Sequence, residues 1–85
     1  MKKIESLKRK IIYRSNYRGT KEMDMLLQKF VNKYINELNQ KELEDLHNFL
    51  NLEDEEIYNF YNGKSLNKEL EKKNICKLFQ KFKIL

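Results

Sequence analysis

Two single residues in this chain are of types that could carry chemistry, His47 and Cys76. A histidine that acts as a general base or metal ligand needs partner side chains, and the sequence around His47 supplies none, so we expect a structural or surface residue. Cys76 has no second cysteine to pair with, and its position on a predicted helix favours a buried or half-buried thiol. No phosphate loop, nucleophile elbow or dinucleotide fingerprint is present. The sequence therefore predicts a protein that is not an enzyme, without catalytic, metal-binding or cofactor-binding residues.

The acidic run from Glu53 to Glu56 is the densest group of carboxylates in the chain. A calcium loop would need alternating oxygen ligands and a glycine, and the run has neither. Acidic side chains at the start of a helix stabilise its positive end. We therefore expect this run to begin a helix.

A glycine in a charged, helix-favouring stretch raises a different question. Gly19 is one of two glycines in 85 residues, and a glycine inside a helix costs about 1 kcal/mol relative to alanine. Either a helix ends there or another group comes close to the backbone. In the structural interpretation, Arg18 pairs with Glu22 while Glu22 and Asp24 stabilise the first turn of the next helix. In the alternative, these side chains form an interface.

Charge is distributed in three blocks along the chain, whose net charge is +5. Residues 1–21 carry eight basic and one acidic side chain, residues 22–63 three and ten, and residues 64–85 seven and two. Such a pattern suits a protein partner whose surface carries both positive and negative charge. It also leaves an alternative, a small basic nucleic-acid-binding or antitoxin-like regulatory protein, in which Tyr13 and Tyr17 would stack on bases.

The hydrophobic periodicity predicts an all-α fold, with the whole chain, residues 1–85, as one compact domain of about five short helices. We expect helices over about 6–15 and 20–37, a third after an Asn39 capping box with Glu42, and a fourth after the acidic run that stops at Asn62-Gly63. The last helix is predicted to carry one apolar stripe from Leu66 to Phe82. No apolar run approaches the roughly 20 residues that span a bilayer, so we expect a cytoplasmic protein without membrane insertion.

Two segments resemble a known family. The segment RKIIYRSNYRGTKEMDMLLQKF, residues 9–30, resembles the signature of the SdhE-type succinate dehydrogenase flavinylation factors and the related mitochondrial assembly factors. The matching pattern is Tyr13-Arg14-Ser15, then Arg-Gly-x-x-Glu-x-Asp from Arg18 to Asp24. LNLEDEEIYNFYNG, residues 50–63, is similar to a second family block. This chain has Tyr17 where many members have arginine, and Phe60 where tryptophan is common.

The resemblance implies a bacterial cytoplasmic assembly factor, monomeric when free, that binds the flavoprotein subunit of succinate dehydrogenase or fumarate reductase. It further implies that the factor promotes covalent attachment of FAD to its partner and neither retains FAD stably nor binds nucleic acid. The partner-binding residues would be Arg18, Gly19 and Glu22, with Asp24 and Arg14 as lesser contributors. We expect Arg18 and Glu22 to face outward to the flavoprotein.

Overall fold

The described part of the chain is all-α, as the periodicity predicted. The computed structural model describes residues 2–66 and 68–82. Within them lie six helices and no strand: α1 (Lys2–Ser15), α2 (Lys21–Tyr34), α3 (Gln40–Phe49), α4 (Asp54–Tyr61), α5 (Lys68–Glu71) and α6 (Asn74–Lys81). No helix in these residues is both long and apolar enough to cross a membrane.

Local signals in the sequence account for the helix starts. Thr20 precedes α2, and its Oγ1 accepts a hydrogen bond from the Met23 amide at 3.2 Å. The predicted capping box before α3 is confirmed, since the Glu42 amide donates to Asn39 Oδ1 at 2.8 Å and the Asn39 amide donates to Glu42 Oε1 at 3.0 Å. Each cap satisfies amides that have no partner inside the helix.

The predicted stop at Asn62-Gly63 is also confirmed. Gly63 has φ +97°, a conformation that glycine adopts without steric cost. Its amide donates to the Phe60 carbonyl at 3.0 Å, and the Lys64 amide donates to the Asn59 carbonyl at 2.9 Å. These two bonds form a Schellman motif, which satisfies the last carbonyls of α4.

One cluster of buried apolar side chains holds the helices together, with α1 packed against α2 and α3. At its centre three fully buried rings meet edge to face: the Phe79 centroid lies 5.0 Å from that of Phe30 and 5.1 Å from that of Phe49. Tilted pairs of this kind contribute beyond the burial of their area. Because the rings come from α2, α3 and α6, packing at this point fixes the relative positions of these helices.

Three helix boundaries differ from the prediction. α1 already includes Lys2, and α2 ends at Tyr34, after which residues 35–37 form a turn. The last stripe is divided between α5 and α6, because Lys73 is extended, with φ −67° and ψ 144°. Leu70 and Ile75 are five residues apart, which does not fit the three- and four-residue steps of one helix face. The break allows both side chains to pack against the core, where Leu70 is half-buried and Ile75 is buried.

Candidate functional site

Tyr17 makes the turn between α1 and α2. Its φ of +57° places it in the left-handed region, and it is the only described residue other than glycine with a positive φ. The end of α1 is capped by side chains that bond back to it: Ser15 Oγ donates to the Ile12 carbonyl at 2.7 Å, and Asn16 Nδ2 donates to the same carbonyl at 3.0 Å. A left-handed conformation disfavours a residue with a side chain by roughly 1–2 kcal/mol. The chain therefore turns at an aromatic residue and not at Gly19.

Gly19 is needed for a close approach. The Gly19 amide donates to Asp54 Oδ2 at 2.6 Å, and a Cβ added to Gly19 would lie 3.0 Å from that same oxygen. Of the two explanations that the sequence offered, the approach of another group to the backbone is the one that favours glycine here. The approaching group is a carboxylate of the chain itself.

Arg18 points inward, contrary to the expectation that it faces outward or pairs with Glu22. Its side chain is 11% exposed, and its Nε donates to Asp54 Oδ1 at 2.8 Å. Three of the four remaining guanidinium N–H donors bond to main-chain carbonyls: those of Leu50 at 3.0 Å, Leu52 at 3.1 Å and Arg14 at 2.9 Å. Carbonyls at helix ends lack partners within the helix, and the five-donor guanidinium can serve several of them at once. We call this arrangement of Arg18, Gly19 and Asp54 the Asp54 latch.

Of the other three predicted site residues, one is half-buried and two are exposed. Asp24 is half-buried, and its Oδ1 accepts the Arg18 amide, so that it stabilises the loop before α2. Glu22 and Arg14 are exposed. Within the described residues, neither the Glu22 carboxylate nor the Arg14 guanidinium has a hydrogen bond or ion pair. Both groups are therefore open to a partner, together with the exposed backbone at Gly19.

A basic surface with two exposed aromatic rings lies on the α1 side of Gly19. Tyr13 is 70% exposed and Tyr17 85% exposed, and their ring centroids are 6.4 Å apart. Arg9, Lys10 and Arg14 surround Tyr13. We call these five residues the tyrosine patch.

A depression with a mostly apolar lining that includes three carboxylate residues lies on the other side of Gly19, where α2 and α4 begin. Its walls are Thr20, Glu22, Met23, Asp54, Glu55 and Tyr58. Tyr58 is 47% exposed, and Glu55 is exposed. We call it the acidic groove.

The sequence analysis assigned Glu22 to the site but placed Asp54 and Glu55 only at a helix start, so it missed that Asp54 completes the site. The available signal was that Asp54 lies in the second segment of family resemblance, residues 50–63.

The single histidine and cysteine are both accounted for structurally. His47 is half-buried beside Arg9 and Lys10. Cys76 is fully buried, as expected for a structural thiol, and burial raises its pKa to about 11, with the negative charges of Asp45 and Glu71 adding to the rise. Among the described residues, no group of three or more His, Cys, Asp or Glu side chains could hold a metal ion.

Comparison with known proteins gives a consistent set of matches. A family model described as "Flavinator of succinate dehydrogenase" matches residues 9–83. Among curated relatives, each named "Succinate dehydrogenase assembly factor 2, mitochondrial", the protein of Lodderomyces elongisporus is 33% identical over 82 residues, covering 92% of this chain and 50% of the relative. The Kluyveromyces lactis protein is 32% identical over 83 residues, covering 93% and 51%.

The protein of Saccharomyces cerevisiae is 38% identical over 55 residues, covering 65% of this chain and 34% of the relative. The chain thus spans about half the length, or less, of these relatives. No solved structure matches it.

Proposed function

This chain belongs to the family of succinate dehydrogenase flavinators, and from that premise we propose that it is an assembly factor that binds the flavoprotein subunit of succinate dehydrogenase. In this proposal it promotes covalent attachment of FAD to that subunit, or to the flavoprotein subunit of fumarate reductase, and is not itself an enzyme. The observation that carries the proposal is the Asp54 latch. It holds the Arg18-Gly19-Thr20-Lys21-Glu22 segment in one conformation while leaving residues 19–22 exposed.

The proposed mechanism is selective binding. Covalent attachment needs a closed flavoprotein site with FAD already seated, and a factor that binds this form more tightly than the open form increases its population. The bond-forming chemistry then belongs to the flavin and a histidine of the partner. The factor needs no catalytic group, metal or retained FAD of its own.

Four of the five predicted site residues have distinct roles in this mechanism. Glu22 offers a free carboxylate that can accept from a donor on the flavoprotein, and Arg14 offers a free guanidinium that can bind a carboxylate there in bidentate fashion. Gly19 presents an exposed backbone to the partner, although the space beside its missing Cβ is already occupied by Asp54 Oδ2. Arg18 acts by positioning the surrounding surface, since four of its five guanidinium donors are already bonded within the chain.

The test is coexpression with a flavoprotein subunit, followed by in-gel fluorescence of covalently held flavin after denaturation. We expect the wild-type chain to increase this fluorescence, and Glu22→Ala and Arg14→Ala to reduce it. The matched control is Glu37→Ala, which removes an exposed carboxylate without a hydrogen bond or ion pair in the described residues, on the turn beyond α2. Equal fluorescence with and without the wild-type chain would contradict the proposed function. Equal fluorescence for wild type and both site variants would show that the binding residues are assigned wrongly.

Nucleic-acid binding is a second candidate, favoured by the tyrosine patch with its unpaired basic side chains and exposed rings. Base stacking on aromatic rings beside basic residues is a general mode of single-strand recognition. Such binding weakens steeply as salt concentration rises. Tight, salt-dependent binding to a single-stranded oligonucleotide, with no association to the flavoprotein, would support this candidate over the assembly role.

A further inference from the structure

Two surfaces of opposite charge adjoin at Gly19. On one side, the tyrosine patch carries the cations Arg9, Lys10 and Arg14, and no carboxylate in the described residues pairs with any of them. On the other side, the acidic groove carries Glu22 and Glu55. Asp54 lines the groove and also a depression beside Tyr13, Arg14 and Tyr17, so the two surfaces are continuous across the latch.

The change of sign limits what can lie across both surfaces. A nucleic-acid strand carries a negative charge at every phosphate, so a strand that continued from the tyrosine patch would meet the carboxylates of the groove. A polypeptide surface can change sign over the same length. Charge complementarity therefore favours a protein segment with a carboxylate at one end and a cationic side chain at the other.

Aromatic rings lie on both sides of the latch and add contact area to this charge pattern. Tyr13 and Tyr17 are largely exposed on the basic side. On the acidic side, Tyr58 is 47% exposed beside Glu22 and Glu55. A tyrosine ring buries a large apolar area when a partner covers it, and its face can also attract a cation. Each surface thus combines an exposed tyrosine ring, which provides contact area, with charged side chains, which favour a client group of the opposite charge.

We infer that the client protein presents to this site a surface segment of mixed charge. Its carboxylate lies against Arg14, in the depression that Tyr13 and Tyr17 also line, and its basic side chain enters the acidic groove beside Tyr58. This inference rests on the proposed function, because the client is taken to be the flavoprotein subunit. Beyond that function, it specifies which charged groups the client's contact surface carries. It also specifies the orientation of that surface, with the acidic end on the patch side of Gly19 and the basic end on the groove side.

Charge reversal on each side, with controls elsewhere, tests the inference. Binding of the purified flavoprotein subunit would be measured by titration calorimetry for wild type, Arg14→Glu, Glu22→Lys and Glu55→Lys. Lys29→Glu and Glu37→Lys make the same charge changes at exposed positions outside both surfaces. Because Glu22 and Glu55 stabilise helix starts, the milder double variant Glu22→Gln/Glu55→Gln keeps the acidic side testable if a reversal fails to fold.

We expect each reversal in the site to weaken binding about tenfold or more, since like charges then face each other across the interface. The loss should shrink as salt is raised, because screening weakens exposed charge pairs. The two control reversals should bind within about twofold of wild type.

Binding by wild type with equal losses for site and control reversals would overturn the inference and leave the proposed function standing. Absence of wild-type binding would overturn the proposed function and this inference with it. Binding of a single-stranded oligonucleotide that competes with the flavoprotein and is abolished by Arg14→Glu would also overturn the inference, because the patch would then accept a uniformly negative strand.

Discussion

Replacement of Arg18 by alanine should destabilise the fold before it affects any partner contact. The substitution removes the ion pair with Asp54 and the donors to the carbonyls of Leu50, Leu52 and Arg14. Removing one partner of a fully buried ion pair lowers the free energy of unfolding by about 3–5 kcal/mol. An exposed ion pair contributes about 1 kcal/mol or less. Arg18 is 11% exposed and Asp54 is 29% exposed, so water can rehydrate part of what is lost. We therefore expect the free energy of unfolding to fall by about 2–3 kcal/mol, of which unsatisfied carbonyls supply a share.

Thermal unfolding followed by circular dichroism measures this effect directly. For a domain of this size, a loss of about 2–3 kcal/mol lowers Tm by roughly 10–20 °C. Arg14→Ala is the matched control, because its side chain is exposed without a partner in the described residues and its removal should change stability by less than about 0.5 kcal/mol. An Arg18→Ala variant that unfolds at the wild-type temperature would refute the latch. The double-mutant cycle with Asp54→Ala then isolates the coupling between the two side chains.

Three further substitutions test other parts of the structure. Gly19→Ala should lower the free energy of unfolding by about 1 kcal/mol, since its Cβ meets Asp54 Oδ2 at 3.0 Å and that carboxylate is held on both oxygens; unfolding at the wild-type denaturant midpoint would contradict this. Tyr17→Gly should raise stability by up to about 1 kcal/mol by relieving the left-handed conformation, and it should weaken client binding; earlier thermal unfolding would show that the turn is not strained. The Cys76 thiol has a pKa of about 11 in the folded state against an ordinary value of 9.0, so the folded state holds this proton more tightly than the unfolded state does. The free energy of unfolding of wild type, measured in urea and compared with that of Cys76→Ala, should therefore fall between about pH 9 and about pH 11, and parallel pH profiles of the two proteins would contradict this.

Features that depend on near neighbours in the chain could be predicted from the sequence. The capping box at Asn39 and Glu42 and the stop at Gly63 each rest on residues within a few positions of one another. The five-residue step from Leu70 to Ile75 was also present in the sequence, although the prediction of one continuous helix overlooked it. Local chemistry was thus sufficient for most helix boundaries.

The sequence predicted which residues form the candidate site, but not how they are arranged. The exposed Glu22 agrees with the expectation from the motif, whereas the turn lies at Tyr17 and the partner of Arg18 lies 36 residues away, at Asp54. Only tertiary packing, in which α1 lies against both α2 and α3, brings these residues together. An aromatic residue gives no local signal for positive φ, so the turn at Tyr17 could not be predicted either.

The Asp54 latch makes one backbone amide a reporter of the state of the whole site. Gly19 is exposed, and amides in exposed loops ordinarily exchange their hydrogen with solvent rapidly because little free energy is needed to open them. The Gly19 amide is instead bonded to a carboxylate 35 residues away. Its exchange rate therefore measures how often the start of α4 separates from the end of α1. A client that binds only the latched form would slow this exchange, even though the amide need not touch the client.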